Sequence, residues 1–331
     1  MRVRFASLAG SIELAGTFAE PVGSPAPPTV VLVSGTGPVD RDVTFVGHAL
    51  FRVLARSLAG AGIASLRFDK RGVGESDGDF SAAGPQDFVA DVLGAVDYLV
   101  RQKGLAGRRV GLLGHSEGGM VALTAAAGMG TAPFCVLLAS PMLSGRDNLV
   151  RSFALLARGG FERDDEYERC VAALTTLIGV ARCGDASVPR ADAVALAASL
   201  APRIVNARTQ VILGGTTLSG AQFLDLLASP CLETCLSWEP GSVVPLVRCP
   251  VLLIYGAKDV QAPAVDNAAA ARALVEGLGR HNWVVQQWAE MNHAFQRCAT
   301  GMPDEYARLD HVMADEVIGE VAVWIHAVAP R

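Results

Sequence analysis

The chain of 331 residues has no hydrophobic run that reaches the roughly 18 residues a membrane helix needs, because Pro, Gly or a charged residue interrupts every apolar segment. A secretory leader is not expected either. Arg2 and Arg4 stand at the N-terminus, but Glu13 and Gly16 break the following stretch before a signal core of about 7 to 15 apolar residues can form. This reads as a cytoplasmic start and excludes a membrane partner. Lysine is scarce, occurring only at Lys70, Lys103 and Lys258, and the arginines are scattered rather than gathered into a stripe. With a net charge of −5, nothing in the chain suits a phosphate backbone, which argues against nucleic acid as a ligand. Seven cysteines make an odd count and, apart from Cys231 and Cys235, they lie far apart, so neither a disulfide framework nor a zinc site is spelled out. The Cys231-Leu-Glu-Thr-Cys235 spacing has no histidine cluster beside it and reads as packing by reduced thiols.

What the chain does have is apolar content, 51% of its residues, which is enough for a sizeable core and excludes intrinsic disorder. Short β-branched runs alternate with longer Ala/Leu-rich stretches of helical period, the pattern of a mostly parallel sheet with helices on both faces. The spacing predicts strands at Thr29–Ser34, Ala64–Phe68, Val110–Gly114, Phe134–Ala139, Val251–Tyr255 and Trp283–Trp288. Helices are expected over Phe45–Ala61, Phe88–Gln102, Ser116–Gly128, Ala264–Leu278 and Ala314–Val328. Ahead of these, Val3–Leu8 and Ile12–Phe18 flank Gly10 as an antiparallel hairpin, and the proline-rich Glu20–Pro28 leads into the first core strand. From Ser144 to about Arg248 the strand–helix rhythm stops and helical patterns follow one another, including Asp165–Cys183 and Ala191–Ala207. The expected organisation is therefore a core made of 1–143 and 249–331, with a helical cap at 144–248 over the C-terminal edge of the sheet.

One motif carries chemistry in the context it requires. The strand at Val110 runs into Gly114-His115-Ser116-Glu117-Gly118, a G-x-S-x-G sequence, and then into an Ala-rich helix. A serine on a strained strand-to-helix turn needs small residues two before and two after it, which makes Ser116 the candidate nucleophile of an α/β-hydrolase fold. In that fold the remaining partners follow in the order acid, then histidine. Asp259 stands just past the Val251 strand, and His293 lies in the loop leaving the Trp283 strand. They are the candidate acid and base. His48 and His115 precede Ser116, His281 precedes the last strand, and His311 and His326 fall in the C-terminal helical region, so each reads as structural; Asp266 would serve as the acid only if the turn were displaced. Two backbone amides should receive the developing oxyanion, one from Glu117 and one from Thr36 in the Ser34-Gly35-Thr36-Gly37-Pro38 loop. The Phe68–Ser76 run lacks dinucleotide-loop spacing, and Asp69 and Arg71 read as an ion pair holding a loop beside the nucleophile.

With these residues in place the chain resembles the EstD-like bacterial α/β-hydrolase esterases, within the wider serine-aminopeptidase-like hydrolases. The matching stretches are the Ser34-Gly-Thr-Gly-Pro-Val-Asp-Arg41 loop, the Arg67–Ser76 run, Gly114-His-Ser-Glu-Gly-Gly119, the Gly256–Asp259 turn, Asn292-His293-Ala-Phe-Gln296 and Thr300-Gly-Met-Pro-Asp-Glu-Tyr306. The resemblance implies Ser116, Asp259 and His293 as a triad, carboxylesterase activity on short acyl esters, and no cofactor, and nothing in the sequence supplies a metal site. The expected substrate is a small, largely apolar ester or thioester, since the cap is rich in Ala, Leu and Val. Other enzymes of this fold cleave C–C bonds, hydrolyse amides or cyclise polyketide-like chains with the same constellation, and the fold alone does not separate them. A pocket that binds without turnover is a third reading, and a homodimer is left open.

Overall fold

The computed structural model describes residues 1–10, 12–24, 26–105, 109–130, 132–158, 163–183, 188–204 and 218–330. Its strands are β1 (Arg2–Ala6), β2 (Glu13–Ala19), β3 (Thr29–Val33), the two-residue pair β4 (Thr44–Phe45) and β5 (His48–Ala49), β6 (Ala64–Phe68), β7 (Val110–His115), β8 (Cys135–Leu138), β9 (Val251–Gly256) and β10 (Trp283–Trp288). All but β4 and β5 join one eight-stranded sheet in the order β1-β2-β6-β3-β7-β8-β9-β10. From β6 to β10 every neighbouring pair is parallel, while β1 with β2 and β2 with β6 are antiparallel. The chain thus has the α/β-hydrolase architecture of a mostly parallel sheet between helical layers.

The sequence makes this sheet by burying both faces of its centre. Every residue of β3, β6, β7, β8 and β9 is buried, which is why β3, β8 and β9 read as near-continuous apolar runs instead of alternating ones. By contrast β1 alternates exposed and buried residues, as a strand with one wet face should. One side is covered by α2 (Pro85–Asp97), α3 (Glu117–Met129) and α10 (Ala264–Gly277), which contribute Phe88, Val92, Val121, Leu123 and Ala268 to the core. The other is covered by α1 (Leu50–Gly60) and α11 (Asp315–Val328), through Leu54, Leu58, Val317, Val321 and Ile325.

Between β8 and β9 the described residues form helices α4 (Gly145–Ala157), α5 (Asp164–Cys183), α6 (Arg190–Ile204), α7 (Gly220–Leu227), α8 (Pro230–Leu236) and α9 (Pro240–Val243) and a 3-10 turn at Val244–Leu246. These helices share an apolar cluster of their own, including Phe153, Leu156, Leu174, Leu177, Phe223 and Leu227. They are stitched to the sheet where Trp238 Nε1 donates to the Pro141 carbonyl at 3.0 Å and Gly145 N–H donates to the Trp238 carbonyl at 2.8 Å.

Three readings change. The helix expected from Phe45 begins at Leu50, because Val46 and Gly47, at φ 46° and 85°, turn the chain into the β4–β5 pair; the apolar residues there face a cavity rather than a helix partner. The helix expected at Phe88–Gln102 starts three residues earlier, on Pro85, and ends in a π-helical turn at Tyr98–Gln102. Asp69 and Arg71 do not pair with each other. Asp69 takes Arg41 at 2.5 Å, and Arg71 takes Asp87 at 2.6 Å and Asp91 at 2.7 Å, so each buried charge has a separate partner from another part of the chain. The end of the Ala191–Ala207 helix lies outside the described residues beyond Ile204.

Candidate active site

Ser116 sits between β7 and α3 at φ 56° and ψ −126°, a backbone conformation that costs a non-glycine residue of order 1–3 kcal/mol and persists only where neighbours enforce it. They do so here. Ser116 N–H donates to the Leu138 carbonyl at 2.8 Å, and Gly119 N–H donates to the Ser116 carbonyl at 2.9 Å. The flanking glycines are required by crowding: a Cβ on Gly118 would lie 2.1 Å from the Val33 carbonyl oxygen, and one on Gly114 would lie 2.2 Å from that of Gly118.

Asp259 and His293 meet as the chain order anticipates. Asp259 follows β9 and is fully buried, with its Oδ2 2.7 Å from His293 Nδ1. Its Oδ1 accepts from the amides of Gln261 at 2.8 Å and Ala262 at 2.9 Å. A carboxylate oxygen only accepts, so the Nδ1 position carries the hydrogen and Nε2 is left as a lone-pair base. Asp266, by contrast, pairs with Arg151 at 3.1 Å on a half-exposed surface.

The loop bearing His293 is held by groups that chemical reasoning on the sequence passed over. Asn292 and Gln296 are buried; Asn292 Oδ1 accepts from the amides of Ala294 and Gln296, both at 3.0 Å, and its Nδ2 donates to Gln296 Oε1 at 3.0 Å. Gln296 Nε2 donates in turn to the carbonyls of Tyr306 at 3.3 Å and His311 at 2.9 Å. Tyr306, at the end of the Thr300–Tyr306 run, also receives Gln261 Nε2 on its hydroxyl at 3.1 Å, so that run braces both the acid turn and the histidine loop. The signal was present in the matched stretches, but nothing local says what a buried glutamine supports.

His115 is buried beside this loop, its ring centroid 4.8 Å from that of His293, and its Nε2–H donates to the His293 carbonyl at 2.9 Å. Burial, then the neighbouring His293, pushes it from the ordinary 6.5 down to about 3. The folded protein therefore refuses a proton that the unfolded chain accepts. The native state keeps its full stability above about pH 6.5 and loses stability as pH falls through that value toward 3. Melting temperatures between pH 7 and 4 should accordingly fall more steeply in the wild type than in His115→Gln; parallel slopes would contradict this assignment.

The Ser34–Pro38 loop passes directly over the nucleophile: a Cβ on Gly35 would lie 3.2 Å from Ser116 Cβ. Ser116, His293, Thr36 and Gly37 all open on one cavity of about 920 Å³. Its far walls are apolar and come largely from the helical insertion, with Leu149, Phe153, Leu156, Leu226 and Leu232 among them. His48, expected to be merely structural, also lines it, anchored through Nε2 to the Tyr306 carbonyl at 3.1 Å. So does Cys235. Of the other histidines, His326 is tied to the Ala61 carbonyl at 2.7 Å, and His281 and His311 do not border the cavity. Among the described residues no group of three or more His, Cys, Asp or Glu could hold a metal ion, and no helix is long and apolar enough to cross a membrane. A hydroxyl on a strained turn and an oriented imidazole at the floor of an apolar cavity can transfer an acyl group.

Comparison with known proteins agrees with this fold. Residues 48–163 match the family model described as Serine aminopeptidase, S33. The chain is 26% identical over 313 residues to Esterase EstD of Thermotoga maritima, covering 94% of this chain and 65% of that protein's length, so it spans less than two thirds of that relative. Among solved structures, the alpha/beta hydrolase GrgF from Penicillium sp. sh18 superposes with a TM-score of 0.59 at 17% identity, covering 99% of this chain and 98% of that one. A thermophilic esterase from Thermogutta terrifontis superposes with a TM-score of 0.55 at 19% identity over the full length of both chains. These structural likenesses establish the shared fold, and the sequence comparisons bear out the resemblance to EstD-like hydrolases.

Proposed function

We propose that this chain, an α/β-hydrolase by fold, is a serine esterase that cleaves uncharged carboxylic esters or thioesters through an acyl-enzyme. The observation that carries the reading is the convergence on one cavity of Ser116, strained at φ 56°, and His293, oriented by the buried Asp259 at 2.7 Å. Ser116 Oγ attacks the carbonyl carbon while His293 Nε2 takes the hydroxyl proton, and Asp259 stabilises the imidazolium that forms. The negative charge on the tetrahedral oxygen is received by the amides of Glu117 and Thr36, the first of them at the positive end of the α3 dipole. His293 returns the proton to the leaving alcohol or thiol, and water repeats the sequence on the acyl-enzyme. The similarity to EstD, itself described as an esterase, supports the choice of bond.

Residues 144–248 act in this scheme as a cap that walls the cavity over a core made of 1–143 and 249–331. An apolar wall selects by burial, at about 0.8 kcal/mol per methylene, so each added methylene raises kcat/KM by up to roughly fourfold until the space is filled. A panel of p-nitrophenyl esters from acetate to palmitate should therefore show activity rising to an optimum of intermediate length and then falling. Preference for charged acyl groups would overturn the substrate assignment.

A further inference from the structure

The two residues whose amides serve the proposed oxyanion hole are joined by a third that the reaction does not use. Cys235, on α8, donates its S–H to Glu117 Oε2 at 3.6 Å. Its Sγ also lies 3.4 Å from Thr36 Oγ1. The thiol hydrogen is committed to the carboxylate, so the Thr36 hydroxyl is the donor of this second contact. Burial, and next the Glu117 carboxylate, raise the thiol well above its ordinary range and keep it protonated, as a donor must be. Glu117 is fixed from its other oxygen, with Lys70 Nζ 3.2 Å from Oε1 and both side chains buried at 2% and 6% exposure. The ammonium lies over the rings of Phe88 and Phe80, 4.8 and 5.5 Å from their centroids.

The two ends of this relay are held differently. Helix α8 packs backbone to backbone against the start of α4, where a Cβ on Gly145 would come 1.7 Å from the Cys235 carbonyl oxygen. Thr36, however, lies between Gly35 and Gly37, the latter at φ 97°, so its backbone has little intrinsic stiffness. An oxyanion donor acts only within about 2.7 to 3.1 Å of the oxygen it serves, and such a loop needs a tether to stay there. We propose that Cys235 is a positioning residue that sets the spacing of the two oxyanion amides by bridging Thr36 to Glu117 through its thiol. The role rests on the esterase reading above.

The test is a double-mutant cycle on a p-nitrophenyl ester with Cys235→Ala, Thr36→Val and their combination, together with Cys235→Ser. Each single variant should lower kcat about tenfold with KM within twofold, the pair should cost about as much as either alone, and the serine, which keeps one donor and one acceptor, should recover most of the loss. Wild-type kcat in both single variants, a raised KM at unchanged kcat, losses that multiply in the pair, or a serine no better than alanine would each overturn the relay. Should Cys235→Ala fail to fold, Thr36→Val carries the decision, as its side chain faces the open cavity. A wild type that neither turns over esters nor reacts with a fluorophosphonate sinks the esterase reading itself, whereas an active wild type with unaffected variants sinks only the relay.

Discussion

Replacing Ser116 by alanine should lower ester turnover by about 10⁵- to 10⁶-fold while leaving the fold intact, with what remains coming from the oxyanion amides and binding alone. The size follows from the role, because without the hydroxyl there is no acyl-enzyme and His293 has no proton to take. Folding should survive, since the elbow is enforced by backbone groups, Ser116 N–H on Leu138 and Gly119 N–H on the Ser116 carbonyl, which alanine retains. The measurement is steady-state hydrolysis of p-nitrophenyl butyrate alongside the melting temperature. A variant that melts normally and keeps more than a hundredth of the wild-type rate would show that the nucleophile lies elsewhere.

Asp259→Asn should cost about 10⁴-fold in kcat, with KM changed much less. The size comes from a tautomer. Asp259 Oδ1 is occupied by the amides of Gln261 and Ala262, so the asparagine's single carbonyl oxygen is claimed by those two donors. Its NH₂ group then turns toward His293 Nδ1, now 2.7 Å from Oδ2, and Nδ1 must accept. The imidazole hydrogen moves to Nε2, where a lone pair is needed to receive the serine proton. Kinetics on a purified, folded variant check this. More than a tenth of wild-type kcat would mean that the carboxylate does not orient the base.

Much of this arrangement was legible in the residues themselves because its determinants are local. Strands buried on both faces are mostly apolar, so β3, β7, β8 and β9 were placed to within a residue or so at each end. The nucleophile announced itself through two glycines that backbone crowding makes obligatory, and chain order then singled out Asp259 and His293 among several acids and histidines. Partner choice across the chain was not legible. Asp69 and Arg71 looked like a pair because they are neighbours, but Asp69 is claimed by Arg41 from 28 residues away and Arg71 by Asp91. Cys235 read as packing, since nothing near it in sequence mentions Thr36, 199 residues distant. Likewise the Phe45–Ala49 stretch has the composition of a helix start, but a positive-φ turn at Val46–Gly47 redirects it to the cavity wall. Such pairings depend on which loops the sheet order brings together, and no short window of sequence carries that.

The most direct measurement is to react the wild-type protein with a fluorophosphonate, weigh the intact adduct and locate the modified residue by peptide mass spectrometry. One equivalent of label, placed on Ser116 and absent from a folded His293→Ala variant, is the predicted result. Labelling at another serine, or none at all on a folded wild-type protein, would contradict the claim that position 116 bears an activated nucleophile.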